Sequence, residues 1–177
     1  DGTIRVITGA RGTVKFSGNV GEQLFAEFDF VGAYNPVADG VILTPSLPML
    51  DPPRLTGAQF TIGAFAPVLK TVSIDMGNKL APREDMNSAS GYKSFMITDR
   101  DPSGSFDPEM ELVATHDWYG RWKAGTSGAL SIGAIGASQY NKVKLTGPTL
   151  VYTKVAEAER EGLEVANTDF QLAMGTG

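Results

Sequence analysis

One stretch of the chain alternates strictly between two kinds of side chain. Between positions 24 and 31, one set of alternate residues is wholly apolar and the other carries two carboxylates. The two sets are Leu24, Ala26, Phe28 and Phe30, and Phe25, Glu27, Asp29 and Val31. Because side chains of a β-strand point to opposite faces in turn, this period of two predicts a strand with one buried face. A shorter alternating segment at 13–17, joined to it by Gly18-Asn19-Val20-Gly21, predicts an antiparallel hairpin.

The rest of the chain also reads mostly as short strands. Its 21 glycines and 10 prolines suit frequent turns better than long helices. The segment 79–91 is polar and predicts a solvated loop, whereas 156–162 fits either a single helical turn or a charged hairpin loop. Further strands are predicted at 58–64, 68–76, 92–98, 129–135, 142–146, 150–155 and 165–172. About nine strands predict a mainly β fold, a β-sandwich or barrel with one flanking helix.

That helix is predicted to begin near Asp107. Asp107 is a suitable N-cap and Pro108 suits the first helical position. Apolar residues then recur at helical spacing, which predicts anchors in the core or at an interface. These anchors are Met110, Val113, Trp118 and Trp122.

Between residues 35 and 57 the strand pattern disappears. Proline fixes its own backbone and cannot donate to a sheet ladder, so this part predicts an extended arm or long loop. Loops longer than about 15 residues inside a domain usually serve a function or an interface. The arm is defined here by Pro36, Pro45, Pro48, Pro52 and Pro53.

Composition narrows the class of protein. The 177 residues predict a single domain with a substantial core, and the start at Asp1 leaves room for a longer chain N-terminally. The absence of cysteine excludes disulfides and thiolate metal sites. The formal charge of −5 argues against a nucleic-acid-binding surface, and no apolar run is long enough to span a membrane.

A search for catalytic groups finds little. The only histidine, His116, lies within the predicted helix without a nucleophile motif, so a structural role is favoured. The segment 99–111 resembles a calcium loop until its twelfth position, where Met110 replaces the required glutamate. Glu27 and Asp29 share a strand face, yet exposed charges are favoured over a glycosidase pair. No catalytic, cofactor or metal site is predicted.

The order of several short segments resembles the tail tube (major tail) proteins of long-tailed phages. The resemblance runs from Gly9 almost to the C-terminus. Its segments are Gly9-Ala10-Arg11-Gly12-Thr13-Val14, Gly21-Glu22, Phe28-Asp29-Phe30-Val31-Gly32, Asp75-Met76-Gly77-Asn78, Asp99-Arg100-Asp101-Pro102, Asp107-Pro108-Glu109, Gly147-Pro148 and Glu159-Arg160-Glu161-Gly162.

The resemblance implies a structural subunit without enzymatic activity. Six such domains would form a ring and the rings would stack, with long arms bridging them and DNA passing through the lumen during ejection. The partners implied are other copies of the chain, tape measure and tail terminator proteins, and DNA only in transit, without a membrane. The location would be the virion tail, assembled in the host cytoplasm. Glu27 and Asp29 are candidate lumen-facing residues, since an acidic lining repels phosphates.

Three other hypotheses remain open from the sequence. A related tube, such as that of type VI secretion, would share the same physics. A carbohydrate-binding or adhesin β-sandwich would need exposed aromatic residues on a concave face. A hydrolase using the carboxylate pair has the least support.

Overall fold

In a computed structural model of the chain, residues 2–41, 44–46, 51–137, 139 and 141–173 are described. Within these ranges the chain forms twelve strands and one helix. They are β1 Thr3–Ile4, β2 Ile7–Asn19, β3 Phe25–Tyr34, β4 Ala38–Asp39, β5 Thr61–Ile62, β6 Leu69–Asp75, β7 Asn78–Glu84, β8 Tyr92–Arg100, β9 Ser103–Pro108, α1 Trp118–Ala124, β10 Gly128–Ile135, β11 Val143–Arg160 and β12 Leu163–Ala173. No helix in the described ranges is long and apolar enough to cross a bilayer.

Eight strands form one antiparallel sheet in the order β3-β2-β6-β9-β12-β11-β10-β5. Two small sheets, β1–β4 and β7–β8, lie outside it. The predicted mainly β fold with one helix is therefore confirmed. The large sheet does not close into a barrel, because its terminal strands β3 and β5 do not pair with each other.

The predicted hairpin at the start of the chain is present as β2–β3. Lys15 lies opposite Glu27 and Val14 opposite Phe28, so the alternation places the carboxylates and the phenyl rings on opposite faces. The expectation that one face of β3 is buried is wrong for the single chain. Phe28 and Phe30 are 60% and 56% exposed, because β3 is the last strand of the sheet and the core does not extend over it.

Strands β6 to β9 form one long hairpin in two parts. β6 pairs with β9 near the base and β7 with β8 near the tip. The prediction of a solvated loop over 79–91 is wrong for its first half, since residues 79–84 belong to β7 and only 85–91 form the turn. The polar residues there belong to a strand because β8 supplies a partner for its backbone.

The helix begins ten residues later than predicted, at Trp118 rather than Pro108, and its N-cap is Asp117 rather than Asp107. Asp107 lies in β9, where its Oδ1 accepts the N–H groups of Lys70 and Thr71 at 3.0 and 2.6 Å. A register shift interrupts β6 at that point, so the carboxylate satisfies two donors that the ladder leaves free. The helix ends at its C-cap Gly125, whose φ of 63° is left-handed, a conformation that favours glycine.

The last two strands, β11 and β12, form the longest hairpin. The tract 156–162 is strand up to Arg160, followed by a two-residue turn of Glu161 and Gly162. Both turn residues have positive φ, 55° and 84°, as a type I′ turn requires. The charged hairpin loop, and not the helical turn, is the alternative that the structure confirms.

The core lies on one face of the large sheet and under α1. It is aromatic at its centre, where Phe106 contacts Phe60, Trp118, Tyr152 and Phe170 at ring-centroid distances of 5.3–6.3 Å. Aliphatic residues from β5, β10 and β11, at the end of the sheet away from β3, complete the core: Ile62, Leu130, Ile132, Ile135 and Leu150.

Candidate functional site

The face of the large sheet opposite the core is polar across six strands. Pairing registers align its side chains in two rows that run from β3 to β11. One row is Phe25, Ser17, Ser73, Ser105, Asp169 and Lys154; the next is Glu27, Lys15, Asp75, Ser103, Gln171 and Val151. We call these two rows, with the next pair Thr13 and Asp29, the polar face.

The charges on the polar face are sparse and mixed. Its four carboxylates are Glu27, Asp29, Asp75 and Asp169, and its two cations are Lys15 and Lys154. Glu27 and Asp29 make no ion pair with any described residue. A surface with serines between slightly more carboxylates than amines offers phosphate groups no cluster of cations to bind.

Glu27 and Asp29 occupy the outer margin of the polar face, because β3 is the terminal strand. Phe28 and Phe30 alternate with them on the core side and stack with a centroid distance of 6.0 Å and an interplanar angle of 4°. The ring of Phe30 lies over Gly12 of β2, where a Cβ would collide with it. The margin of the sheet thus combines carboxylates on one side with uncovered phenyl rings on the other.

The four predicted helix anchors lie in different surroundings. Trp118 is buried in the core, and Met110 packs partly against it from the segment before the helix. Trp122 is 40% exposed, with its Nε1 donating to the Thr153 carbonyl at 2.9 Å. Val113 lies outside any helix and is exposed. Of these four residues, only the two tryptophans lie on α1.

The proline-rich arm is described in part. Pro36 and Pro45 are exposed, whereas Pro53 is half-buried and its carbonyl accepts the N–H of Leu24 at 3.2 Å. Pro52, adjacent to it, is exposed, and Pro48 lies outside the described residues. The returning half of the arm, residues 51–57, therefore packs on its own chain, with Leu55 buried in the core.

His116 belongs to the core. Its ring stacks on Phe65 at 4.1 Å, and its Nε2 lies 3.1 Å from the Tyr152 hydroxyl. Burial, aided by the nearby Arg121 cation, lowers the pKa of His116 to about 4, although Asp117 opposes this. The imidazole is therefore neutral at physiological pH and packs as an aromatic side chain.

The carboxylates of the calcium-like segment are engaged by other groups. Asp99 pairs with Lys79 at 2.9 Å, and the side chain of Asp101 accepts from Gln171. Among the described residues, no three carboxylates or imidazoles are grouped so that they could hold a metal ion.

These observations describe a sheet with a polar face, an uncovered terminal strand and a buried aromatic core. In a comparison with protein families, the sequence model described as phage tail tube protein matches residues 1–172. The chain belongs to the phage tail tube family. A search of curated proteins finds no match.

Membership of the tail tube family gives the chain its biological setting. It is a structural subunit of a phage tail tube, located in the virion tail, and it belongs to a family that self-assembles into tubes.

Sequence reasoning identified only one margin of this polar face. Glu27 and Asp29 stood out because they interrupt a hydrophobic strand, whereas the rest of the polar face mixes serines with single charged residues on separate strands. The available signal was a period of two in small polar residues, seen at Ser73 with Asp75 and at Ser103 with Ser105. Pairing of distant strands places these segments side by side, and alternation alone does not specify that pairing.

Proposed function

We propose that six domains of this tail tube subunit close into a ring whose lumen is lined by the polar face, and that stacked rings conduct DNA during ejection. The observation that carries this proposal is the continuity of the polar face over six neighbouring strands. An apolar wall would not be wetted, and a cationic wall would retain the phosphate backbone. The mixed, slightly acidic face avoids both.

Glu27 and Asp29 are proposed to face the lumen at its junctions between neighbouring domains. Both carboxylates are exposed and lack ion-pair partners among the described residues. Their desolvation would be costly, so the wet, lumen-facing rim of such a junction suits them better than its dry interior.

The arm is proposed to contact another copy of the chain through its N-terminal half, from Pro36 to Pro48. Pro36 and Pro45 are exposed, as is Val41 at 86%. Pro48 belongs to the same proposal by sequence alone. Pro52 and Pro53 would hold the returning half against its own domain, fixing where the arm leaves.

The remaining parts of the proposal follow from the tail tube family. The chain acts as a single structural domain without catalysis, and its further partners are tape measure and tail terminator proteins. Assembly takes place in the host cytoplasm.

Negative-stain microscopy of the purified chain, over a range of concentrations, tests the proposal. Rings with a central hole, or tubes built from them, are expected. A protein that stays monomeric at every concentration, and instead binds a glycan array, would favour the carbohydrate-binding alternative and contradict the proposal.

A further inference from the structure

The two ends of the polar face differ in charge. At one end, β3 carries Glu27 and Asp29 on the polar side and the exposed rings of Phe28 and Phe30 on the core side. No strand in the described ranges pairs with the outer edge of β3. We call these four residues the β3 flank.

At the other end of the polar face, helix α1 lies beside the part of β11 that follows Leu150. Strand β10 pairs with β11 only up to Leu150, and beyond that point Trp122 reaches the Thr153 carbonyl, at an irregularity between Tyr152 and Lys154. Tyr119 is 38% exposed and its hydroxyl donates to Glu157 at 3.0 Å. Lys123 and Lys154 are exposed cations, and neither forms an ion pair with a described residue. We call Tyr119, Trp122, Lys123 and Lys154 the α1 flank.

Lys154 matches the β3 flank in level as well as in sign. The polar row that begins at Phe25 of β3 ends at Lys154 of β11, one row from Glu27. In each flank the charges accompany partly exposed aromatic rings, which are the residue types that most often anchor protein interfaces.

We propose that the β3 flank of one copy packs against the α1 flank of the next. This inference rests on the proposed ring and specifies how it closes. The contact is head-to-tail: Glu27 and Asp29 face Lys123 and Lys154, and the phenyl rings pack beside Trp122. Such a heterologous contact generates a ring when its rotation closes.

The same charges exclude the competing symmetric contact. Two β3 flanks facing each other would bring four unpaired carboxylates together, and two α1 flanks would bring four amines together. Like charges placed opposite each other oppose association, so these four charges favour the head-to-tail arrangement over the symmetric one.

Charge reversal tests the pairing. The variant E27K/D29K and the variant K123E/K154E are each expected to keep the wild-type melting temperature and to lose rings and tubes in negative stain. The combined four-residue variant restores the attraction with reversed sign and is expected to assemble again. An equimolar mixture of the two double variants is also expected to assemble, because in an alternating ring every contact is complementary.

The control S73K/S103K adds charge on β6 and β9, the two middle strands of the polar face, away from both flanks, and is expected to assemble. Failure of both the combined variant and the mixture, with the folded state intact, would overturn the pairing. So would normal assembly of either double variant. Absence of rings from the wild-type chain itself would contradict the proposed ring, which separates the two failures.

Discussion

At the scale of single residues, Asp107 connects three strands. Its Oδ1 accepts two N–H groups of β6, and its Oδ2 lies 2.8 Å from the Arg160 guanidinium of β11, which also binds Glu109 at 3.0 Å. Burial raises the pKa of the Asp107 carboxyl, but the hydrogen bonds from Thr71, Arg160 and Lys70 outweigh it and leave the pKa lowered. The carboxylate therefore stabilises the fold above its usual pKa, and this contribution is lost as pH falls through the lowered value.

We expect Asp107→Ala to lower the free energy of unfolding by about 2–4 kcal/mol. Two backbone donors lose their acceptor, and Arg160, only 17% exposed at its side chain, loses a partner. Urea unfolding measures this loss. Asp99→Ala removes an exposed pair with Lys79 and serves as the control, with an unchanged midpoint expected. Equal losses in both variants would contradict the role given to Asp107.

His116 predicts a pH dependence of stability. The unfolded chain binds a proton near pH 6.5, whereas the folded chain binds it only near its pKa of about 4. The contribution of His116 to the free energy of unfolding is therefore constant above about pH 7. It falls as pH drops between the two pKa values, by about 2 kcal/mol from about pH 7.5 to 5. Urea unfolding of the wild type and of His116→Gln should converge by this amount on acidification. Parallel pH curves for the two proteins would rule the effect out.

At the scale of elements, the turn between β11 and β12 is held in a left-handed conformation. Gly162→Ala should lower stability by about 1 kcal/mol, since a side chain is strained at a φ of 84°. Glu161→Asn should change it by less than about 0.5 kcal/mol, because asparagine suits this conformation while the exposed ion pair of Glu161 with Lys70 is lost. Thermal melts compare the two, and a loss in E161N as large as that in G162A would argue against the turn type.

The elements that sequence predicted are those whose signal is local. The alternation of β3 and the glycine-containing turn before it needed no distant partner. The start of the helix was predicted wrongly because Asp107 and Pro108 fit a cap equally well, and only the free donors of β6 explain why Asp107 joins a strand. The loop prediction for residues 79–84 was wrong for a similar reason, since the strand that pairs with them lies beyond a turn. The polar face depends on the order of six strands, which no local pattern contains.

At the scale of the whole molecule, the charge of the polar face should control DNA retention. We expect tubes of S103K/D169K to retain short duplex DNA at low salt and release it at high salt, whereas wild-type tubes do not retain it. Ser103 and Asp169 are both exposed and lie on neighbouring strands. Filter retention measures the effect, with S103N/D169N as the uncharged control. Retention equal to wild type would mean that this face does not line the lumen.

The two-part hairpin of β6 to β9 also constrains the order of folding events. Asp75 pairs with Ser103 across a long intervening segment, whereas Glu84 pairs with Tyr92 across a short one. Closing a short loop costs less entropy and occurs faster. We therefore expect the β7–β8 tip to form early and bring β6 and β9 together. Pairing of β6 with β9, in the middle of the large sheet, would then follow. A subunit emerging from the ribosome could begin this step as soon as β8 is synthesised, before β11 and β12 exist to complete the sheet.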